Sequence, residues 1–389
     1  MGPQGCSDRR RGRVPWLAAT VLALVLASLG ASAYGASDAP RARAASYPGK
    51  VPLGEYAVKV MPPHRLNPTN PLAGRPMGVY QGGMDQAWQP YVRAKGARKK
   101  LLARIALRPK AKWYGSWVGN GAIKKKVREY VANSQDGNPE ALVQLTVFRM
   151  VPWEHAACKR LPTVAEKRSY RGWIRQFAAG VGDAHAAIIL QPDGPFALCA
   201  PGGSRVPSNL IRYAAQRFST LPNASVYIDA GTADWPKNDP AASARILRRA
   251  GVELVRGFAL NSTHYVPVGW DINFGSQIIR ELEAVGIHGK HLVINTSSNG
   301  RGFEFGKARG RHPDNAKVCA TKTERRCVTL GIPPTTAVAA RSWGLNGPNR
   351  GRAARNVDGY LWFGRPWLYM QNDPFSMRRA LAVARTTPY

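Results

Sequence analysis

Residues 186–199, with the sequence AAIILQPDGPFALC, decide the fold. The first five residues form a continuous apolar run, which is typical of a strand buried on both faces, as in a parallel sheet. Asp193 follows at the carboxyl end of this predicted strand, where barrels and doubly wound sheets carry their catalytic groups. Taken alone, residues 192–194 favour a simple turn around Asp193. A functional acid is the alternative, and it gains support because other apolar runs of the chain end in the same way.

The same pattern recurs along the chain. Buried strands are predicted at 77–81, 142–149, 186–191, 225–229, 252–260, 291–295 and 357–363. Helical patterns lie between them, and the clearest runs from Thr163 to Ala179, with Thr163 and Glu166 at the spacing of a capping box. Alternating strands and helices indicate an α/β fold with a parallel sheet. This number of strand–helix units favours a parallel (β/α) barrel over an open sheet.

Polar residues follow several of these runs. Asp193 follows the third run and Asp229 ends the fourth, while Asn261 follows the fifth and Asn295 and Asn299 follow the sixth. The carboxyl ends of parallel strands meet at one mouth of a barrel. We therefore expect these side chains to converge there.

The composition limits the classes of function. The formal net charge of the 389 residues is +33, and the densest basic run spans 93–126. No zinc knuckle and no aromatic–basic signature accompanies the charge, so no nucleic-acid partner is predicted. The basic groups are interpreted as a solvated surface, with attraction to an anionic cell-wall polymer or acidic glycan as the alternative.

The first 36 residues have the pattern of a signal peptide. Arginines within 9–13 precede the apolar run 16–29, and small residues that suit cleavage follow. Secretion by the Sec or twin-arginine route is predicted, with an uncleaved membrane anchor as the alternative. Residues 37–69 are rich in Pro, Ala and Arg and are predicted to be flexible. The barrel domain is assigned to 70–389.

Four cysteines lie beyond the predicted signal peptide, and secretion favours disulfides over free thiols. Four cysteines allow three pairings. We expect Cys158 to pair with Cys199 and Cys319 with Cys327. A zinc site is the alternative, although no Cys-x-x-Cys spacing supports it.

Several ordered segments resemble those of a known family. Residues 70–74 read NPLAG, 191–193 QPD, 227–231 YIDAG, 256–261 RGFALN and 295–300 NTSSNG. In this order they resemble glycoside hydrolase family 6, the cellobiohydrolases and endoglucanases, over residues 68–386. The resemblance implies a distorted seven-stranded parallel (β/α) barrel that hydrolyses β-1,4-glucan with inversion.

The resemblance also implies roles for titratable residues. Asp193 takes the place of the general acid, and Asp229 is the neighbouring carboxylate whose charge could keep that acid protonated. The two carboxyls of an inverting enzyme are typically ~6.5–9.5 Å apart. His155, beside Glu154, takes the place of another aspartate; it is interpreted either as a proton carrier or as a loop histidine.

The last strand departs from the family pattern. Leu368 and Met370 stand where the family has a glutamate and the proposed catalytic base, and Gly364 replaces a lysine. The base is therefore unassigned. Arg365 supplies a replacement for the charge of the lysine, and Asp373 is interpreted as the cap of the last helix.

Tryptophan faces pack on pyranose rings and are candidate sugar platforms. Half of the following are expected in the core instead: Trp113, Trp117, Trp235, Trp270, Trp362 and Trp367. The predicted substrate-binding set consists of Asn261, Asn299, Trp235, Arg365, Trp362 and Trp367.

These observations predict a secreted, monomeric glycoside hydrolase without cofactor or metal, acting on β-1,4-glucan or a related polysaccharide, with Asp193 as general acid. One alternative is a non-catalytic glycan-binding protein that kept the cleft and lost the base. Another is a hydrolase of changed specificity for a wall glycan. The sequence does not distinguish endo from exo action.

Overall fold

The computed structural model describes residues 47–308, 313–369 and 372–389. Seven parallel strands form one sheet in chain order: β1 (Lys112–Gly115), β2 (Val143–Phe148), β3 (Ala186–Leu190), β4 (Ala224–Asp229), β5 (Gly257–Leu260), β6 (His291–Asn295) and β7 (Val357–Leu361). The predicted signal peptide lies outside the described residues, and no helix within them is long and apolar enough to cross a membrane.

Helices connect and cover the strands. They are α1 (Trp88–Arg93), α2 (Gly96–Ala106), α3 (Asn120–Gln135), α4 (Trp153–Ala156), α5 (Val164–Val181), α6 (Val206–Phe218), α7 (Pro240–Ala250), α8 (Val268–Glu283), α9 (Gly347–Asn356) and α10 (Met377–Thr386). An antiparallel hairpin, β8 (Leu368–Tyr369) and β9 (Asn372–Phe375), precedes α10.

The sheet curls into an incompletely closed barrel. β1 and β7 are its edge strands, and no ladder joins them in the part of the chain that is described. Single hydrogen bonds bridge the seam instead: the Ala111 N–H donates to the Trp362 carbonyl at 2.8 Å, and Trp113 Nε1 donates to the Phe363 carbonyl at 2.6 Å. The expected distorted seven-stranded parallel (β/α) barrel is confirmed.

Alternate residues of a strand face opposite sides of the sheet. In β3, Ala187 and Ile189 belong to a buried cluster that also contains Tyr227 of β4. Ile188 and Leu190 belong instead to the larger apolar cluster shared with the helices. β3 is therefore covered on both faces, by the barrel interior and by the helical layer, as its continuous apolar run predicts.

One predicted strand is wrong. Residues 77–81 contribute a single parallel bridge, between Met77 and Leu142, and the first strand of the sheet is β1, paired with β2. β1 has only four residues, one of them the charged Lys112. Such a strand contains no apolar run long enough to be detected by pattern.

Helix ends largely follow the sequence signals. The Thr163 side chain accepts from the Glu166 N–H and the Glu166 carboxylate accepts from the Thr163 N–H, so the predicted capping box opens α5. The predicted cap of the last helix is wrong. Asp373 lies in β9, which pairs with β8, and Ser376 accepts from the Arg379 N–H at the start of α10.

The early segment 47–69, which composition predicts to be flexible, lies along the barrel domain. The Val51 N–H donates to Gln81 Oε1 at 2.7 Å. Asn67 Nδ2 donates to Asp358 Oδ1 at 2.9 Å, and Asn70 Nδ2 donates to the Asp358 carbonyl at 2.8 Å. The first contact joins the segment to the residues before α1, and the other two join its end to β7.

A buried ion pair holds the amino-terminal end of β7. The Asp358 carboxylate is inaccessible to solvent, and Arg256 donates to both of its oxygens, at 2.8 and 2.9 Å. The Tyr227 hydroxyl donates to the same group at 2.7 Å, beside the bond from Asn67. Asp358 therefore links β4, β7, the residue preceding β5 and the early segment.

We predict that Asp358→Asn lowers the free energy of unfolding by ~3 kcal/mol, because Arg256 loses its charge partner inside the protein. The control is Glu253→Gln, which breaks the more exposed pair with Arg212 and should cost less than ~1 kcal/mol. Urea unfolding of both variants measures the difference. Equal, small losses would contradict a structural role for the buried pair.

Candidate active site

Residues 191–199, called the acid loop below, turn sharply after β3. Gln191 and Asp193 have positive φ angles of 55° and 65°. The half-buried Asp193 opens a short 3-10 helix, Gly194–Cys199. A Cβ atom at Gly194 would lie 2.2 Å from the Asp229 carbonyl oxygen. Glycine is therefore needed for the acid loop to pack directly on the end of β4.

Two consecutive hydroxyls after β5 bind the two predicted catalytic carboxylates. Ser262 Oγ donates to Asp229 Oδ2. Thr263 Oγ1 donates to Asp193 Oδ1 at 2.8 Å. The structure therefore brings Asp193 and Asp229 together, as the sequence predicts, and it adds a loop that positions both.

Asp229 has an unusual environment for a carboxylate. It is 1% exposed, and its Oδ1 accepts from the Gly194 and Gly231 N–H groups at 2.9 and 3.0 Å. Burial raises the pKa of Asp229 to about 7; the hydrogen bonds from Ser262 and from the backbone oppose this rise, and the charge of Asp193 adds to it. A proton can therefore reside on this pair of carboxyls near neutral pH.

An aromatic stack lies beside the acid loop. Trp235 stacks on His264 with centroids 5.4 Å apart, and His264 stacks on Phe305 at 4.2 Å. Phe196 of the acid loop meets Trp235 edge-on at 5.1 Å. Asp234 accepts from the Phe305 N–H and lies 2.7 Å from His264 Nδ1. His264 is thus a titratable group held at the mouth, with Nε2 as its second ring nitrogen.

The sequence analysis missed the His264–Asp234 pair. Its members are 30 residues apart, and their contact depends on how the loops after β4 and β5 meet. The one available signal was the position of His264, three residues after Asn261 at the end of a predicted strand.

The predicted mouth asparagines bind backbone groups. Asn261 is fully buried, and its Nδ2 donates to the carbonyls of Val266 and Asn295, both at 3.3 Å. Asn299, 8% exposed, donates to the Val266 carbonyl at 2.8 Å. Asn295 Oδ1 accepts from two N–H groups just after β7. The structure therefore gives these side chains a role in shaping the mouth.

The candidate tryptophans divide into two groups of three. Trp117 and Trp270 are exposed, and Trp235 is half-buried beside the acid loop. The other three are core residues: Trp113, Trp362 and Trp367. Trp362 and Trp367, both predicted to bind substrate, are 2% exposed and pack against each other. The Trp362 indole N–H donates to the buried Ile332 carbonyl.

Arg365, also predicted to bind substrate, lies with its guanidinium over the Trp113 ring, 4.7 Å from the ring centroid.

Both predicted disulfides are confirmed: Cys158–Cys199 and Cys319–Cys327. The first ties the end of the acid loop to the segment after α4, across 41 residues of sequence. His155 lies within α4. Its side chain lies outside what the structure describes, as does that of Glu154.

The segment after β7 contributes no described carboxylate to the mouth. Leu368 is fully buried in β8. Met370 lies outside the described residues, and so does the side chain of Asp373. Among the residues that are described, no cluster of three or more His, Cys, Asp or Glu side chains could hold a metal ion. The described geometry is suited to acid–base chemistry by carboxyl groups.

Comparisons with known proteins give a consistent result. A family model described as "Glycosyl hydrolases family 6" matches residues 78–342. Endoglucanase A of Cellulomonas fimi is 32% identical over 238 residues, which is 60% of this chain and 50% of that protein. Endoglucanase 1 of Streptomyces halstedii is 30% identical over 246 residues, 62% of this chain and 74% of that protein.

A solved structure extends the similarity. It is that of the endoglucanase Cel6 from Mycobacterium tuberculosis, in complex with methyl-cellobiosyl-4-deoxy-4-thio-β-D-cellobioside. Its TM-score is 0.65 at 27% sequence identity, and the alignment covers 82% of this chain and 100% of that one. The match to the C. fimi protein spans only half the length of that relative.

We predict that Ser262→Ala raises the pKa of Asp229 further, because the carboxylate loses a charge-assisted hydrogen bond that lowers it. The matched control is Thr263→Val, which removes the neighbouring hydroxyl and leaves the bond to Asp229. Carbon-13 NMR titration of the carboxyl groups measures both. A fall in the pKa of Asp229, or an equal rise in the control, would contradict this description of the site.

Proposed function

The chain belongs to glycosyl hydrolases family 6, and on that premise we propose that it hydrolyses β-1,4-glucan or a related polysaccharide with inversion, using Asp193 as general acid. Relatives named endoglucanase support this substrate class. So does the similar M. tuberculosis structure, which was solved with a cellobioside derivative.

The observation that carries the proposal is the loop that binds both carboxylates. Thr263 fixes one oxygen of Asp193, and Ser262 fixes one oxygen of Asp229. The two carboxyls share one proton near neutral pH, and when it lies on Asp193 the negative charge of the buried Asp229 disfavours its loss. Asp193 then remains protonated long enough to donate to the glycosidic oxygen as the leaving group departs.

Asp229 gives electrostatic support and is not itself the base. Its carboxylate accepts from Gly194, Gly231 and Ser262 and is 1% exposed. A group so enclosed cannot take a proton directly from the attacking water. The base acts from elsewhere around the mouth or through a water chain.

The candidates for that base lie outside the segment after β7. Glu154 and His155 are candidates by sequence position. His264 joins them, because Asp234 holds its Nδ1 and leaves Nε2 as the nitrogen that could accept a proton.

One observation favours a second candidate function. Leu368, which replaces an acidic residue of the family pattern, is fully buried. A protein without an acid there could retain the cleft and bind glycans without hydrolysing them. A hydrolase of changed specificity for a wall glycan would fit the same observation.

The proposal extends to the context of the protein. Residues 1–36 act as a signal peptide for secretion, and 70–389 as the catalytic barrel of a monomer that needs no cofactor, with the segment 47–69 packed along it. The net charge of +33 attracts the protein to anionic cell-wall polymers.

We predict that Asp193→Asn reduces kcat on β-1,4-glucan by about 100- to 10,000-fold, the usual contribution of general acid catalysis. Dinitrophenyl cellobioside should be affected much less, because its leaving group needs little protonation. The exposed Asp183→Asn is the matched control and should change neither rate.

Both rates are measured on variants whose circular dichroism matches the wild type. Equal losses on the two substrates would show that Asp193 is not the acid. Binding of β-glucans by the wild type without turnover of any of them would favour the glycan-binding function.

A further inference from the structure

A cavity of about 410 Å³ lies against α10, away from the acid loop. It is called the α10 cavity below. Four of its ten lining residues are basic, and no described Asp or Glu lies among the ten: the basic four are Lys317, Arg378, Arg379 and Arg385. Such a concentration of one charge around a concave site favours an anionic ligand.

The floor of the α10 cavity is a buried arginine. Arg379 is 8% exposed. It donates from Nε to the Pro366 carbonyl at 3.2 Å and from both terminal nitrogens to the Ala316 carbonyl at 3.4 Å. A guanidinium has five N–H groups, so two remain beyond these three bonds. Backbone carbonyls satisfy part of its hydrogen bonding but do not neutralise its charge.

No carboxylate whose side chain the structure describes forms an ion pair with Arg379. Burial lowers the pKa of Arg379, the nearby Tyr265 opposes this fall, and the charge of the adjacent Arg378 adds to it. A bound anion would offset both effects. Buried charges are ordinarily paired, and because no described carboxylate pairs with Arg379, a ligand that supplies a negative charge is indicated.

The rim of the cavity adds two more cations. Arg378 and Arg385 are exposed on α10, and within the described residues neither side chain forms an ion pair or hydrogen bond. Lys317 differs, because it pairs with Glu324 at 3.0 Å. Three arginines therefore line the cavity, and none of them forms an ion pair with a described carboxylate.

We propose that the α10 cavity binds a carboxylate or phosphate group of an acidic polysaccharide, with Arg379 at the floor and Arg378 and Arg385 at the rim. The planar arginine fork matches the oxygens of both anions, and the cavity volume is typical of small-molecule sites. The polysaccharide nature of the ligand rests on the proposed function, whereas the binding of an anion does not.

A second basic cavity, of about 560 Å³, is a weaker candidate. It is lined by α2 and by residues that follow α10, and its cations are on α2 and just after it: Lys100, Arg104 and Arg108. Glu55 also lines it, and Arg104 and Arg108 donate to the backbone carbonyls of Ala384 and Tyr56. Glu55 thus already supplies a negative charge at this cavity, which makes it a weaker candidate for binding an anion.

The test compares two double variants of the full chain. Arg378→Gln/Arg385→Gln removes the rim charges, and Lys124→Gln/Arg128→Gln removes two exposed charges from α3. Both changes lower the net charge equally. The ligands are polygalacturonate, a glycerol-phosphate polymer and neutral cellohexaose, and the dissociation constants are measured by calorimetry at low and high NaCl.

We expect the rim variant to bind the anionic polymers about 10-fold more weakly, the effect of losing two charge-assisted contacts at a partly exposed site. The α3 variant should change less than about 2-fold, because distant exposed charges are screened. Cellohexaose should bind equally to all three proteins. The anionic polymer that loses more affinity identifies carboxylate or phosphate as the preferred group.

Equal weakening in both double variants would show diffuse attraction and overturn the site, as would failure of the wild type to bind either polymer. Arg379→Gln provides a second variant. If it folds, it should remove the remaining preference for the anionic polymers over cellohexaose. Repeating the titrations with Asp193→Asn separates this site from catalysis. If Asp193→Asn loses hydrolysis but binds the anionic polymers as the wild type does, anion binding is independent of catalysis. The proposed anion site then stands even if the proposed function is wrong.

Discussion

The site depends on two hydrogen bonds from consecutive residues. Ser262 binds Asp229 and Thr263 binds Asp193, so a single loop after β5 fixes the relative positions of two carboxylates from β3 and β4. The sheet order places these three strands side by side. Gly194 completes the arrangement, since any larger residue would push the acid loop away from β4. Proton sharing in the pair follows from this packing and from the burial of Asp229.

The sequence predicts the fold well because parallel strands buried on both faces leave long apolar runs. β1 escapes detection because it is short and begins with Lys112. At the site, the placement of Asp193 and Asp229 follows from strand ends alone. The contact between His264 and Asp234 does not, because two loops must meet to create it. Solvent exposure is equally hidden from the sequence: Trp362 and Trp235 look alike as residues, yet the first is core and the second lies by the acid loop.

Charge is distributed unevenly in this basic protein. The strongly buried carboxylates are either paired, as Asp358 is with Arg256, or have a raised pKa, as Asp229 does. Arg379 is the reverse case, a buried cation whose described partners are carbonyls. An ionic partner is thus supplied to Asp358, whereas no described carboxylate supplies one to Arg379 beside α10. This contrast distinguishes the proposed catalytic mouth, where two carboxyls lie close together, from an outer cavity suited to binding anions.

The most direct test of the central claim is proton NMR of fresh cellohexaose hydrolysate, recorded before the products mutarotate. Because Asp193 would protonate the leaving oxygen while water attacks the opposite face, the account predicts that the α-anomer of the new reducing end appears first. Its early signal should disappear in Asp193→Asn. First appearance of the β-anomer, or binding of cellohexaose without any cleavage, would contradict the account.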